Sequence, residues 1–163
     1  FDRALALLSL QFVPQPELAV AELCRVVRPG GVVAAAVWDG FGGMPHMRML
    51  WDTAAALDPT DVAARRLFRP MYGAGEMAEL WRRQGLLQVE DTSLLIRMDF
   101  ADFEDYWRPF LSGDGPPGQY VTGLAEPARD RLKAHLRRAY ESNRPDGPRS
   151  FAAVAWACRG AVA

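Results

Sequence analysis

Two short stretches carry the groups best suited to meeting a ligand. Ser9-Leu10-Gln11-Phe12 and Trp38, Asp39, Phe41 and Met44 each stand at the end of an apolar run. A polar or aromatic exit from a continuous apolar segment is the pattern of a buried parallel strand at its carboxyl end. In open α/β sheets ligands lie beyond those ends. The groups present suit hydrogen bonding, an apolar wall and an aromatic face for a cation. No nucleophile stands beside a base, so catalytic residues are not assigned. Trp38 is either a wall of the site or a core residue whose N–H needs a partner. Asp39 either hydrogen-bonds a ligand or caps its own loop. His46 is the nearby group whose ordinary pKa suits general-base work, and a surface helix position is its plainer reading.

Other motifs point away from common chemistries. Cys24 and Cys158 lie within apolar runs and read as small buried hydrophobes rather than a disulfide or metal ligands. His46 and His135 lack a second ligand type at metal spacing, so no metal site is expected. The "YGAGE" at 72–76 contains G-x-G, but no strand run leads into it, and it reads as a turn and helix start. The "SGDGPPG" at 112–118 lacks the lysine and preceding strand of a phosphate loop. It is expected to be a flexible surface connection, with an active-site lid as the alternative.

The net charge of −1 and pI near 6.2 give no global pull toward nucleic acid or an anionic membrane. No apolar stretch approaches the ~20 residues of a membrane span. The first residues lack a signal peptide's basic leader and cleavage site. A soluble, reducing, cytoplasmic setting is the default expectation. Lys133 is the only lysine among 19 basic residues, a compositional bias without functional meaning.

Periodicity defines the elements on which these groups are carried. Residues 1–13 read as a buried strand and its exit, ended by Pro14 and Pro16. Val20, Leu23, Cys24 and Val27 fall on one face of a helix over 17–28, which Pro29-Gly30-Gly31 stops. The β-branched and alanine run 32–38 predicts a second buried strand, completing a right-handed βαβ unit. Helices are expected over 46–57, 75–84, 102–111 and 126–142, and strands over 87–99 and 150–159. Residues 60–73 are left open, with Arg65, Arg66 and Arg69 clustered beside Leu67 and Phe68. Small residues in 32–37 and 152–157 allow covering helices to approach closely. The whole is read as one domain, 1–163, of α/β class with about four strands.

The opening "FDRALALLSLQFVPQPELAVAELCRVVRPGGVVAAAVWD" resembles the middle of a class I S-adenosylmethionine-dependent methyltransferase of the small-molecule, ubiquinone and menaquinone biosynthesis type. Phe1-Asp2, Glu22, Arg25 to Gly31 and Trp38-Asp39 carry the match. In that family they form the fourth strand, its helix ending in "RVLRPGG", and the fifth strand. "FADFEDYWRPFL" resembles the helix after the sixth strand, and "SFAAVAWACRG" the seventh, antiparallel one.

The resemblance implies the carboxyl-terminal half of a Rossmann-like sheet in the order 4-5-7-6. It implies S-adenosylmethionine as cofactor and a small-molecule acceptor, with no nucleic acid or membrane partner. Ser9, Leu10, Gln11 and Phe12 would touch the cofactor. Trp38, Asp39, Phe41, Met44, Trp107 and Phe110 would face the acceptor, the last two and Met44 being either its roof or plain core. In the family about 100 residues stand ahead of such a strand, and they hold the glycine-rich loop and the ribose-binding acid. Without them this chain is expected to bind cofactor poorly. Residues 4–10 then become an apolar edge, expected to pair with that missing half or with a second copy. The alternative is a non-catalytic binding or dimerisation module built on a degenerate methyltransferase fold.

Overall fold

The computed structural model describes residues 1–60 and 71–163. Its strands are β1 (Arg3–Leu7), β2 (Val32–Trp38), β3 (Leu87–Phe100) and β4 (Arg149–Ala161), in the sheet order β1-β2-β4-β3. β1 runs parallel to β2 in the register Arg3↔Val32 to Leu7↔Ala36, and β4 runs antiparallel to β2. This is the order 4-5-7-6, with the strand from 149 to 161 reversed, that the resemblance implied. The packing groups the described residues into two compact units.

The first unit holds residues 1–44, 71–96 and 152–163. Helix α1 (Pro16–Val26) starts with proline in its first turn, where a missing N–H costs nothing. Gly30, at φ +75°, makes the left-handed turn that brings the chain into β2. Asp2 accepts a hydrogen bond from Arg28 at 2.7 Å, tying the start of β1 to the end of the α1 turn. Helix α3 (Glu76–Arg83) begins after Gly75 at φ +78°, so "YGAGE" is a turn and helix start. One core gathers Val20 and Val27, the β2 residues Val33, Ala35 and Val37, and Met77, Leu80 and Trp81 of α3. The Trp81 indole N–H donates to the Val33 carbonyl at 3.3 Å, which lets a fully buried indole keep a partner.

The second unit holds residues 45–60 and 97–151. Helices α2 (Pro45–Leu57), α4 (Phe103–Trp107), α5 (Gly115–Gly123) and α6 (Glu126–Tyr140) enclose an aromatic core. That core contains Leu50, Phe103, Tyr106, Trp107, Phe110, Leu132, Leu136 and Tyr140. Asp102 caps α4 by accepting from the Asp105 N–H at 2.8 Å.

Three expectations need correction. β1 is not a strand buried on both faces. It stops at Leu7, Leu10–Phe12 form a single 3-10 turn, and Leu5 and Leu7 are 73% and 74% exposed. Ala4 and Ala6 pack on the core, but no described segment lies over the opposite face. "SGDGPPG" is not a loop throughout. Helix α5 starts at Gly115, and its prolines sit in the first turn, where they favour a helix rather than break it. The segment predicted as one helix over 102–111 is α4 followed by a 3-10 turn, Arg108–Leu111. The cluster Arg65, Arg66, Arg69, Leu67 and Phe68 lies outside the described residues.

Candidate functional site

Parallel pairing of β1 and β2 puts both carboxyl ends at one edge of the first unit. Ser9, Leu10, Gln11 and Phe12 leave β1 there, and Trp38, Asp39 and Phe41 leave β2. The Leu8 N–H donates to the Ala36 carbonyl at 2.8 Å, holding the β1 exit against β2. The four β1 residues do not share one environment. Leu10 is buried in the core. Gln11 is buried too, and its Oε1 accepts from the Trp38 backbone N–H at 3.4 Å. Ser9 is exposed, and Phe12 is 49% exposed. Ser9 and Phe12 are therefore the exposed β1-exit side chains.

The loop after β2 is shaped by Asp39. Its Oδ1 accepts the N–H groups of Phe41 at 2.9 Å and Gly42 at 3.2 Å. This is a side-chain turn that stabilises the loop from within, so of its two readings the cap is the one the geometry uses. The Asp39 N–H donates to the Val154 carbonyl, and the Gly43 carbonyl accepts from the Val154 N–H. Gly43 is needed there: an added Cβ would stand 2.6 Å from Asp39 Cβ and 2.7 Å from Val154 Cβ. Trp38 and Met44 are half-buried, and Phe41 is 48% exposed.

Sequence reasoning missed Tyr72. Its ring lies so close over Gly40 that an added Cβ would meet it at 1.9 Å. Its carbonyl accepts the Trp156 indole N–H at 3.1 Å. Tyr72 thus lines the loop at the carboxyl end of β2. The available signal was an aromatic residue directly before a glycine turn, in a motif weighed only for its glycines.

Trp107 and Phe110 are placed elsewhere. They are 2% and 3% exposed in the core of the second unit. Trp107 stacks on Phe103, with ring centres 6.3 Å apart, and Phe110 meets Tyr106 edge-on. His46 is likewise in that unit, and it is not a surface residue. It is 2% exposed between Phe100 and Phe151, with ring centres 6.1 and 6.3 Å away. Its Nδ1 is buried without a hydrogen-bond partner among the described residues, and burial lowers its pKa. The Tyr106 hydroxyl donates to the His46 carbonyl at 2.8 Å, and burial pushes that phenol well above its ordinary pKa. Cys158 is buried and its thiol is pushed up to about 11, chiefly by desolvation. It is unreactive at neutral pH.

Among the described residues, no group of three or more His, Cys, Asp or Glu could hold a metal ion. None of the described helices is long and apolar enough to cross a membrane.

The fold, a four-stranded mixed sheet with flanking helices, matches Rossmann-like structures of methyltransferase type. Residues 1–35 match the model of the family described as "Methyltransferase domain". The whole chain resembles a Bacillus halodurans protein provisionally assigned as a methyltransferase, with TM-score 0.54 and 13% identity. That alignment covers 99% of this chain and 69% of the other. The YcgJ protein of Bacillus subtilis gives TM-score 0.50 at 14% identity, covering 99% of this chain and 63% of that one. The chain thus spans roughly two-thirds of each structure's length, and at these identities the likeness is one of fold. A search of curated proteins gave no match.

As a cradle for S-adenosylmethionine, these residues are incomplete. Oδ1 of Asp39 is committed to its own loop, Gln11 Oε1 to the Trp38 N–H, and Leu10 to the core. That leaves Ser9 and Phe12 as a rim.

Proposed function

We propose that this chain is the acceptor-side portion of an S-adenosylmethionine-dependent methyltransferase acting on a small molecule. The observation that carries the reading is the parallel β1–β2 pair, which starts within the segment 1–35 that matches a methyltransferase domain. It brings Ser9 and Phe12 to the same edge as Trp38 and Phe41. Methyl transfer asks an enzyme chiefly to align acceptor, methyl and sulfur and to exclude water. Half-exposed aromatic rings can do the excluding, and they favour an apolar or aromatic acceptor of the kind handled by quinone-biosynthesis enzymes. A cytoplasmic location belongs to the same reading.

The cofactor-binding half is the natural occupant of two surfaces. One is the edge of β1 along residues 4–10, which has no strand partner among the described residues. The other is the sheet face on which Leu5 and Leu7 are exposed. Until both are covered, this chain contributes a rim and not a pocket. Calorimetry with S-adenosylmethionine and its demethylated product tests this. The 163 residues alone are expected to show no micromolar binding. The chain expressed with the coding sequence that precedes Phe1 is expected to bind both. Micromolar binding by the isolated chain would overturn the shared-pocket reading. Upstream sequence without a strand, glycine loop and helix would favour the non-catalytic module.

A further inference from the structure

β3 closes the sheet on the side away from β1. It is last in the order β1-β2-β4-β3, so its outer backbone edge has no strand partner among the described residues. It is also 14 residues long. Soluble proteins usually blunt such an edge with short length, proline or lysine. The β3 sequence, LQVEDTSLLIRMDF, has neither proline nor lysine. Leu94, Leu95 and Ile96 are 47%, 69% and 48% exposed. Successive residues of a strand point to opposite faces, so apolar side chains are uncovered on both faces of this edge.

We propose that β3 pairs antiparallel with β3 of a second copy, extending one sheet through both chains. The charges on the strand select the register. A two-fold axis perpendicular to the sheet keeps like faces together, so it must pass through a residue position on β3. Centred on Leu94, the pairing sets Leu94 against its own copy and Thr92 against Ile96. It also sets Asp91 against Arg97, and the symmetry makes that pair twice. Centred on Leu95, Asp91 would oppose Asp99, and directly opposed like charges destabilise a sheet. Centred on Ser93, Asp91 would face Leu95 and Arg97 would face Val89. Of these three, the Leu94 centre alone gives apolar contact on one face and opposite charges on the other.

Both charged groups are free to take part. Asp91 is exposed and makes no hydrogen bond or ion pair among the described residues. The Arg97 side chain is 75% exposed, and its Nε meets Asp99 at 2.9 Å. Its terminal nitrogens remain for a carboxylate across the edge. The proposal does not depend on the methyltransferase reading, because it rests on the edge opposite the one assigned to the cofactor-binding half.

Sedimentation velocity over a concentration series is the test, with circular dichroism to show that each variant folds. The wild-type chain is expected to be a dimer. Asp91→Arg and Arg97→Asp are each expected to raise the dimer dissociation constant by about tenfold or more. The double variant D91R/R97D restores both pairs with their signs exchanged and is expected to recover the wild-type constant. Leu94→Lys, which sets two like charges directly against each other at the axis, is expected to dissociate the dimer, and Leu5→Lys, on β1, to leave it unchanged. A wild-type chain that stays monomeric at high micromolar concentration would overturn the proposal. So would a double variant as weak as either single one, or a dimer that ignores Leu94→Lys and is dissolved by Leu5→Lys.

Discussion

His46 illustrates what a buried polar group costs when nothing answers it. Its imidazole sits between Phe100 and Phe151, and the Tyr106 hydroxyl bonds to its backbone carbonyl rather than to the ring. The ring is therefore held neutral, with its pKa below the usual 6.5 because charging it would mean desolvating a cation. As pH falls through the unfolded value, the unfolded chain takes up a proton that the folded chain refuses. Proton binding then favours unfolding, so this residue's contribution is present above about pH 6.5 and lost below it. The urea midpoint is expected to fall between about pH 7.5 and 5.5. His46→Phe, which fits the aromatic surroundings and cannot titrate, is expected to flatten that fall. An unchanged slope in the variant would assign the pH dependence elsewhere. The same accounting explains the candidate site. Asp39 satisfies backbone N–H groups of its own loop and Gln11 that of Trp38 on the neighbouring strand, so the residues with the most obvious chemistry are engaged in structure.

β1 and α3 differ in how deeply they are held, and substitutions should separate them. Trp81 is fully buried and bonded to Val33, so Trp81→Ala is expected to cost about 3–5 kcal/mol. Leu5 is 73% exposed, so Leu5→Lys is expected to change stability by no more than about 0.5 kcal/mol. Denaturant unfolding of the two variants checks both. A large loss at Leu5 would mean that the β1 face is covered in the isolated chain. This contrast also marks what could be read from residue order. The runs at 32–38 and 76–83 carry their period and their stops in the sequence, and both elements form there. The strand order came from the family resemblance that the "RVVRPGG" and "FAAVAWACR" segments carry, not from the residues themselves. Cover could not be read. An apolar run such as ALALL looks alike whether its second face is packed or open, because cover depends on residues elsewhere. The "GPPG" stretch failed for a local reason, since the same residues make a turn or a helix's first turn depending on the residues after them. Trp107 and Phe110 failed because aromatic residues at helical spacing fit a core as well as a pocket.

The two faces of the sheet in the first unit set how this chain behaves in solution. One face carries Val33, Ala35 and Val37 into a core with α1 and α3. The other presents Leu5, Leu7, Ala34, Ala36 and Leu94 along an open groove of about 480 Å³, with the Arg159–Glu90 ion pair at its margin. Its floor is alanine, which suits the close seating of a helix and offers little to a polar solute. Exposed apolar surface on this scale marks a place where something binds. An anionic naphthalene dye that brightens in apolar clefts is expected to fluoresce on the folded chain at neutral pH. Leu7→Glu, at the groove wall, is expected to lower that signal without lowering the thermal midpoint, since Leu7 is 74% exposed and contributes little to the core. On the proposed reading, a longer chain that carries a cofactor-binding half is expected to lose the signal too, because the same face would then be occupied. If the dye stays dark on the isolated chain, the groove is closed in solution and the face needs no partner. If Leu7→Glu leaves the signal intact, the dye is reading another surface, and the exposed β3 residues Leu95 and Ile96 are the next place to look.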